Sequence, residues 1–121
     1  MILVDTSVWV QHLRANDPRL AGLLNAACVL MHPFVLGELA LGHIRHRKMV
    51  LAWLSNLPLA KTATDAEVLN FIDRQALYAR GVGYVDAHLL AAVRLTLGST
   101  LWTNDKRLNR LAEELGLAMT R

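Results

Sequence analysis

Short apolar runs that alternate with segments of helical spacing constrain the fold of this chain more than any other feature. Three such runs are MILV at 1–4, CVLM at 28–31 and STLWT at 99–103, and two weaker ones are LPLAK at 57–61 and LAMT at 117–120. Short apolar runs are typical of strands that are buried on both faces of a parallel sheet. Because helices separate them, the sequence predicts an α/β fold, a three-layer α/β/α sandwich with a central parallel sheet. Of the two weaker runs, LPLAK is a candidate for a further strand, the third in chain order, and LAMT is a candidate for an edge strand.

Capping residues place the helices between these strands. Asp17 precedes Pro18, and this pair is a favoured helix start. Thr64 and Glu67 have the spacing of a capping box, and they begin an amphipathic helix that we expect to extend to about Arg80. The other predicted helices are TSVWVQHL, PFVLGELALGHI, HRKMVLAWLSNL, residues 84–97 and NDKRLNRLAEEL.

Length and composition limit the class of protein. With 121 residues, the chain is long enough for one hydrophobic core, whereas two cores would leave each half near the size where independent folding is marginal. We therefore predict a single domain over residues 1–121. Hydrophobic residues make up 54% and charged residues 19% of the chain, which excludes a disordered tail, and polar residues interrupt the long apolar stretches, which excludes a membrane span.

The expected location is the cytoplasm. No basic segment precedes the first apolar run, so we expect neither a signal peptide nor a membrane anchor. The one cysteine, Cys28, cannot form an intrachain disulfide, which fits a reducing compartment. Since Cys28 lies within the apolar run AACVLM, we expect a buried packing residue and not a nucleophile.

Four acidic residues occupy positions where solvated surface acids are not expected. Asp5 and Asp105 follow predicted strands, at the sheet edge where open α/β folds bind their ligands. Glu38 lies in the middle of an apolar helix, with no basic residue in reach on that helix. Asp86 lies in the first turn of its helix, on the apolar stripe that extends to Leu97. An unpaired buried carboxylate costs several kcal/mol, so four of them predict a shared cation.

The ligand chemistry of these acids favours Mg²⁺ or Mn²⁺ over zinc, because oxygen ligands without cysteine or histidine suit hard cations. Such clusters serve phosphodiester hydrolysis, in which one or two bound metal ions activate a water and neutralise charge on the phosphorus. The formal net charge of the chain is +3, and the surface away from the four acids is more basic still. This balance is typical of a protein with a polyanionic partner such as a nucleic acid.

Four segments of the chain together resemble the PIN-domain ribonucleases, and specifically the VapC toxins of bacterial toxin-antitoxin pairs. They are VDTSVW around Asp5, PFVLGELALG around Glu38, GVGYVDAHLLAA around Asp86 and LWTNDKRL around Asp105. The likeness extends in order over essentially the whole chain. The resemblance implies a Mg²⁺-dependent endoribonuclease, a homodimer, and inhibition by a small antitoxin that occupies the acidic site.

By position, the four acids match the family's acidic quartet. We expect Asp5, Asp86 and Asp105 to hold the principal metal ion. We expect Glu38 to act through a bound water or a second, substrate-assisted metal and to help deprotonate the nucleophile. Because all four acids are present, a catalytically silent module that only binds RNA or an antitoxin is the weaker alternative. A related DNA nuclease is a further alternative, since phosphate contacts do not distinguish RNA from DNA.

Two threonines, Thr6 and Thr103, match the family's hydroxyl groups beside the metal. Each also has a purely structural interpretation. Thr6 and Ser7 fit the N-terminal cap of the first helix, which can also receive a phosphate group, and Thr103 fits a residue that satisfies only backbone groups. His88, two residues after Asp86, is expected on another face of the helix as a surface or packing residue.

A basic stretch, HIRHRK, lies outside the family's motif. Its cationic residues Arg45, Arg47 and Lys48 are candidates for contacts with RNA phosphates. The alternative is a solvated junction between two helices. His43 and His46 are one helical turn apart, which would suit a transition metal, but the sequence offers no third ligand.

Apolar residues on two predicted helices exceed what one small core can cover. They are Trp9 and Leu13 on the first helix, and Val50, Trp53 and Leu54 on the fourth. We therefore expect a two-fold homodimer, as the resemblance also implies. The alternative is that all five side chains are internal.

Overall fold

Three parallel strands form the centre of the structure, a computed structural model that describes residues 1–120. β1 is Ile2–Val4, β2 is Val29–Leu30 and β3 is Thr100–Trp102. The strand order is β2-β1-β3, and β1 pairs in parallel with both neighbours. The predicted central parallel sheet is therefore confirmed. Its register pairs Ile2 with Val29 and Thr100, Leu3 with Leu30 and Leu101, and Val4 with Trp102.

The two weaker apolar runs contribute single bridges at the edges of the sheet and not full strands. Leu59 pairs in parallel with Met31 beyond β2, and Ala118 pairs in parallel with Leu101 beyond β3. Pro58 precedes the first bridge and has no N–H group, so it cannot donate to a longer ladder. The sheet is thus extended at both edges without a long exposed strand.

Helices cover both faces of the sheet. Within the described part of the chain they are α1 (Thr6–Ala15), α2 (Pro18–Asn25), α3 (Pro33–Leu41), α4 (Arg47–Ser55), α5 (Asp65–Arg74), α6 (Tyr84–Leu95) and α7 (Lys106–Glu114). The connection from β1 leads to β2 on one side of β1, and the later connection leads from β2 to β3 on the other side of β1. Because such crossovers are right-handed, connections that run in opposite directions place their helices on opposite faces of the sheet. The contacts agree, because α3 packs on α1 and α4 whereas α5 packs on α6. The three-layer α/β/α sandwich is therefore confirmed.

The two predicted helix starts are also confirmed. The Asp17 Oδ1 accepts hydrogen bonds from the N–H groups of Arg19 and Leu20, at 2.9 and 3.2 Å. Thr64 and Glu67 form the reciprocal capping box, with bonds of 3.1 and 2.8 Å between each side chain and the backbone N–H of the other. Both starts rest on interactions within four residues, which is why the sequence reveals them.

The helix after the capping box is shorter than predicted. α5 ends at Arg74 and not at about Arg80. Ala76 has a left-handed conformation with φ 52°, and the N–H of Leu77 donates to the carbonyl of Ile72, as in a Schellman motif. Glycine usually occupies the left-handed position of this motif. Alanine at this position therefore concealed the helix end.

Two expectations about burial are wrong. α6 ends at Leu95, and Leu97 is 94% exposed, so the apolar stripe that carries Asp86 ends before that residue. Cys28 is partly exposed, and its Sγ donates to the carbonyl of Ala26. Both residues lie in short connections between a helix and the strand that follows it.

The predicted surplus of apolar residues on α1 and α4 is divided between the core and the surface. Trp9 and Leu54 are fully buried, and Val50 packs against the same core. Leu13 and Trp53 are 37% and 47% exposed. The alternative that all five side chains are internal is therefore wrong.

The core surrounds the central strands. Leu3, Val4 and Leu101 are fully buried, which explains why the strand segments lack the alternation of a half-exposed sheet. The polar residues Asp5 and Thr103 follow β1 and β3 at their carboxyl ends, so the sheet presents polar side chains at that edge. Among residues 1–120, no helix is both long and apolar enough to cross a lipid bilayer.

Candidate active site

Asp5 lies at the carboxyl end of β1 and is the most buried of the four selected acids, at 7% exposed. Its Oδ2 accepts hydrogen bonds from the Ser7 Oγ at 2.8 Å and from the Thr103 Oγ1 at 2.7 Å. Thr103 follows β3, which pairs with β1, so the parallel pairing brings these groups together. The two strand ends therefore form the base of a polar site.

Glu38 is positioned by α3, which packs against α1. Thr6, in the first turn of α1, donates a hydrogen bond from its Oγ1 to the Glu38 Oε1 at 2.6 Å. Glu38 is exposed and has this partner, so the expectation of a buried carboxylate without a partner is wrong here. The reason is that α3 buries only the face that carries Val35 and Leu39.

Asp86 lies in the first turn of α6 and is partly buried. Its Oδ2 accepts a hydrogen bond of 3.1 Å from the N–H of Gly83, which caps the helix. Burial raises the pKa of Asp86, and the Gly83 hydrogen bond opposes this shift. The negative charges of Asp5, Asp105 and Glu38 raise the same pKa further. The four carboxylates, which we call the acidic cluster, are therefore close enough to interact.

Asp105 is the N-terminal cap of α7. Its Oδ1 accepts a hydrogen bond from the N–H of Leu108 at 3.0 Å, and its own N–H donates to the Thr103 Oγ1 at 3.0 Å. Because the same hydroxyl donates to Asp5, Thr103 links the two acids. Asp105 is exposed, which corrects the expectation of burial, since a cap at the end of a helix is open to solvent.

None of the four carboxylates is paired with a basic side chain within residues 1–120. The ion pairs of this part of the chain join Arg80 to Glu114 and His88 to Asp65. Neighbouring carboxylates repel each other when both are ionised, and a bound cation removes this repulsion. A cluster without an internal counter-charge is therefore a suitable environment for a cation.

The donor atoms of the acidic cluster suit Mg²⁺ or Mn²⁺. All four side chains offer carboxylate oxygens, which these cations prefer. The hydrogen bonds occupy one oxygen of each carboxylate: Oδ2 of Asp5 and Asp86, Oε1 of Glu38 and Oδ1 of Asp105. Over the described residues, no three acidic, histidine or cysteine side chains are already arranged to hold an ion. The donor chemistry fits a divalent cation, whose binding would have to draw the carboxylates closer together.

The hydroxyl groups beside the acids bind carboxylates. α1 has no side-chain cap, so the interpretation of Thr6 and Ser7 as caps is wrong. The Ser7 Oγ donates to Asp5 and accepts from the N–H of Asn104 at 3.0 Å. Thr103 binds both a carboxylate and a backbone N–H group. The sequence suggested only a helix cap or a phosphate contact for Ser7, and its partner is instead the Asp5 carboxylate two residues earlier.

The predicted RNA-binding residues lie at the junction of α3 and α4. Arg45 precedes α4, Arg47 and Lys48 form its first turn, and all three are exposed. Neither of the ion pairs found within residues 1–120 involves them. His43 and His46 are exposed at the same junction, and no metal-holding group of the described residues includes them. Contact of this junction with RNA stays a prediction.

A second polar cluster lies beside α6. His88 is 3% exposed, and its Nε2 lies 3.0 Å from the Asp65 Oδ1, which also accepts a hydrogen bond from the Tyr84 hydroxyl at 2.6 Å. The His88 ring packs against the rings of Phe34 and His32, so the expectation of a packing histidine is confirmed. Burial, together with the charge of His88, lowers the pKa of His32 to about 4.

Comparison with known proteins places this arrangement in a family. The sequence profile of the PIN domain matches residues 2–114, which include the whole acidic cluster. Ribonuclease VapC32 of Mycobacterium tuberculosis, in strain CDC 1551 / Oshkosh and in strain ATCC 25618 / H37Rv, is 50% identical over 119 residues. The aligned part covers 98% of this chain and 96% of each relative. The chain therefore belongs to the PIN domain family, as a ribonuclease of the VapC type.

Proposed function

We propose that this VapC-type ribonuclease is an endoribonuclease toxin that hydrolyses RNA phosphodiester bonds with a divalent cation held by the acidic cluster. One observation carries the proposal. Four carboxylates from separate elements interact at the carboxyl edge of the sheet, and within residues 1–120 none of them has a basic partner. Uncompensated carboxylates of this kind provide the ligands and the charge that metal-assisted phosphodiester hydrolysis needs.

Asp5, Asp86 and Asp105 would hold the principal Mg²⁺ or Mn²⁺ ion. When bound, the ion supplies an activated water and neutralises charge on the phosphorus and on the leaving oxygen. Ser7 and Thr103 restrain the Asp5 carboxylate, because both hydroxyls donate to its Oδ2. This arrangement keeps the Asp5 Oδ1 available to a ligand and fixes the direction in which it is presented.

Glu38 is the candidate general base. Thr6 holds its Oε1, and the side chain is exposed, so water and RNA can reach the Oε2. In this role the Oε2 accepts a proton from the attacking water, whose oxygen then bonds to phosphorus. The bond between phosphorus and the 3′ oxygen breaks, and the 3′ oxygen takes up a proton from solvent. The products carry a 5′-phosphate and a 3′-hydroxyl.

A cognate antitoxin would inhibit the protein at the same site. The acidic cluster attracts a basic side chain for the reason that it attracts a cation, so a lysine or arginine of the antitoxin would compete with the ion. The assignment to a toxin-antitoxin pair is supported by the similarity to VapC32. RNA would approach across Arg45, Arg47 and Lys48, whose charges are exposed beside α3.

Replacement of Asp5 by asparagine tests this mechanism. Asp5→Asn keeps the size of the side chain but removes a charged ligand, so we expect the cleavage rate to fall by roughly two orders of magnitude or more. The rate is measured on end-labelled RNA in millimolar Mg²⁺ or Mn²⁺, and a thermal melt verifies that the variant folds. Asp73→Asn, on the exposed face of α5, is the matched control and should cleave at the wild-type rate.

Two results would contradict the proposal. One is undiminished cleavage by Asp5→Asn, and the other is undiminished cleavage by the wild-type protein in excess chelator. Single-stranded DNA of the same sequence provides a further comparison. Faster cleavage of the DNA than of the RNA would identify the protein as a DNA nuclease of the same architecture.

A further inference from the structure

A cavity of about 190 Å³ lies beside the start of α6, between this helix and the loop that follows α5. Ile72, Leu77 and Val82 provide apolar surface, and Tyr78 and Tyr84 provide two aromatic rings. The tyrosines are 63% and 43% exposed, so both rings are accessible from solvent. We call this cavity, lined by these five side chains, the tyrosine pocket.

The tyrosine pocket adjoins the acidic cluster. Gly83 lines the pocket, and its N–H donates to the Asp86 Oδ2 at 3.1 Å. The same glycine therefore borders both features. A polymer with one phosphate at the carboxylates can place a neighbouring group in the pocket without leaving the protein surface.

The loop at residues 75–83 holds an uncommon conformation. Ala76, Ala79 and Gly81 have φ values of 52°, 59° and 81°. Alanine is strained in this region, and such strain persists where surrounding contacts impose it. Arg80 contributes such a contact, because its ion pair with Glu114 connects the loop to α7.

Tyr84 is also restrained. Its hydroxyl donates to the Asp65 Oδ1 at 2.6 Å, and its ring lies edge-on to the His88 ring, with 4.7 Å between centroids. His88 binds the same carboxylate oxygen at 3.0 Å. The ring is therefore pre-organised, which reduces the entropy that is lost when a ligand stacks on it.

Basic residues lie on the α7 side of the loop. Arg107 packs against Gly81 so closely that a Cβ on this glycine would be 2.8 Å from the Arg107 Nη1. Arg107 and Lys106 lie in the first turn of α7, where the helix dipole disfavours cations, and neither belongs to an ion pair within residues 1–120. Their charges complement a phosphate backbone that runs past the pocket.

Size and lining together define the occupant. Drug-sized ligands fill cavities of about 300–1,000 Å³. A cavity of about 190 Å³ is smaller and suits a single planar ring system. Nucleobases have this shape, and they stack on tyrosine rings. We propose that the tyrosine pocket binds one nucleobase of the RNA, beside the phosphate that is cleaved, a proposal that rests on the proposed ribonuclease function.

A scan with abasic RNA tests the proposal. An RNA with one mapped cleavage site is prepared in versions that each lack a single base near that site. For each version, kcat/KM is measured with Mg²⁺, and Kd is measured in chelator by fluorescence anisotropy. Loss of the base that occupies the pocket should lower kcat/KM about tenfold or more and weaken binding similarly. Abasic positions farther away should have little effect.

Variants at Tyr78 connect the effect to the pocket. Tyr78→Ala should lower kcat/KM about tenfold on intact RNA but not further on the sensitive abasic RNA, because the stacking is already lost. Tyr78→Phe keeps the ring and should behave as wild type. Leu97→Ala is the matched control, because Leu97 is an exposed apolar residue beyond the far end of α6.

The outcomes separate this proposal from the proposed function. If Tyr78→Ala retains wild-type kcat/KM, wild-type Kd and the wild-type response to every abasic position, the pocket binds no base. A Tyr78→Phe variant as impaired as Tyr78→Ala would also overturn stacking. If the wild-type protein leaves RNA intact, the proposed function fails. The anisotropy measurements then still test the pocket. If the pocket binds a base, Tyr78→Ala and loss of that base together should weaken RNA binding no more than either change alone.

Discussion

Burial and three neighbouring carboxylates raise the pKa of Asp86 above that of an isolated aspartate. The folded protein therefore keeps a proton at Asp86 over a pH range in which the unfolded chain has lost it. Because the native state binds more protons in that range, the stability of the metal-free protein declines as the pH rises from about 4, the unfolded value, through the raised folded value. Above that range the repulsion is fully present.

Asp86→Asn should relieve this repulsion. In excess chelator near pH 7.5, we expect the variant to melt a few degrees above wild type, and millimolar Mn²⁺ should raise the melting temperature of wild type more than that of the variant. Asp73→Asn, whose side chain is exposed on α5, should show neither effect. If Asp86→Asn instead melts below wild type in chelator and Mn²⁺ does not stabilise wild type, the cation site is incorrectly assigned.

Gly81 is a second position where one residue determines local structure. It has φ +81°, and an added Cβ would be 2.8 Å from the Arg107 Nη1 and 3.0 Å from its Cδ. Gly98 is the matched control, because it has φ +77° but no atom within 4 Å of an added Cβ. Gly98→Ala and Gly81→Ala should each cost about 1–2 kcal/mol of unfolding free energy from backbone strain, and Gly81→Ala should add only the small cost of moving the flexible end of the Arg107 side chain.

Denaturant unfolding measures both losses. Arg107→Ala should remove the extra cost of Gly81→Ala, because it removes the atoms that the new Cβ would meet. Equal losses for Gly81→Ala and Gly98→Ala would show that the Arg107 side chain moves aside without measurable cost.

At the scale of elements, helix starts gather the acids. Asp5 and Asp105 are the cap positions of α1 and α7, and Asp86 lies in the first turn of α6. The N-terminal end of a helix carries partial positive charge, which stabilises nearby carboxylates and offsets part of their mutual repulsion. The acidic cluster can therefore persist in the fold, although no basic side chain among residues 1–120 is paired with it.

The start of α4 carries a prediction about RNA. Changing Arg45, Arg47 and Lys48 to alanine should weaken RNA binding and reduce the slope of log Kd against log salt by up to about 2, the contribution of three contacts to single-stranded phosphates. Single-turnover cleavage at saturating RNA should stay near the wild-type rate. Binding titrations at several salt concentrations measure the slope.

A second triple variant controls for net charge. Arg19, Arg74 and Arg110 are also exposed, but they lie on three different helices. Changing them to alanine removes the same charge and should alter the slope less. An equal effect of both triple variants would assign the α4 residues to the general surface field and not to RNA contacts.

At the scale of the whole molecule, one helical layer carries exposed apolar residues on two neighbouring helices. Val10 and Leu13 on α1, and Met49 and Trp53 on α4, are 44%, 37%, 67% and 47% exposed. The Trp53 ring meets the buried Trp9 ring edge-on, with 6.4 Å between centroids, so the two helices are adjacent. Apolar side chains exposed on adjacent helices are typical of a protein interface.

We predict a homodimer through this layer. Light scattering at tens of micromolar should give the mass of a dimer, and Met49→Glu should give the mass of a monomer, because a charge would be buried without a partner. Leu97→Glu is the control, since Leu97 is exposed beyond α6, on the other helical layer. A wild-type protein that is monomeric at these concentrations would contradict the prediction.

The sequence by itself determined the features that depend on neighbours along the chain. Apolar runs identified β1, β2 and β3, because strands that are buried on both faces need no alternation. Asp17 and Thr64 identified helix starts, because a cap binds N–H groups within four residues. The order of strands and helices also indicated the edge of the sheet where Asp5 and Asp105 lie, since parallel strands share their carboxyl end.

Only the tertiary structure decided which distant groups meet. The bonds of Thr6 to Glu38 and of Thr103 to Asp5 join residues that are 32 and 98 positions apart, and no local pattern specifies such pairs. The exposure of Glu38 depends on which face α3 buries, and the end of α5 depends on Ala76 tolerating a left-handed conformation. The tyrosine pocket exists for the same reason, because packing between two helices and their loop creates it.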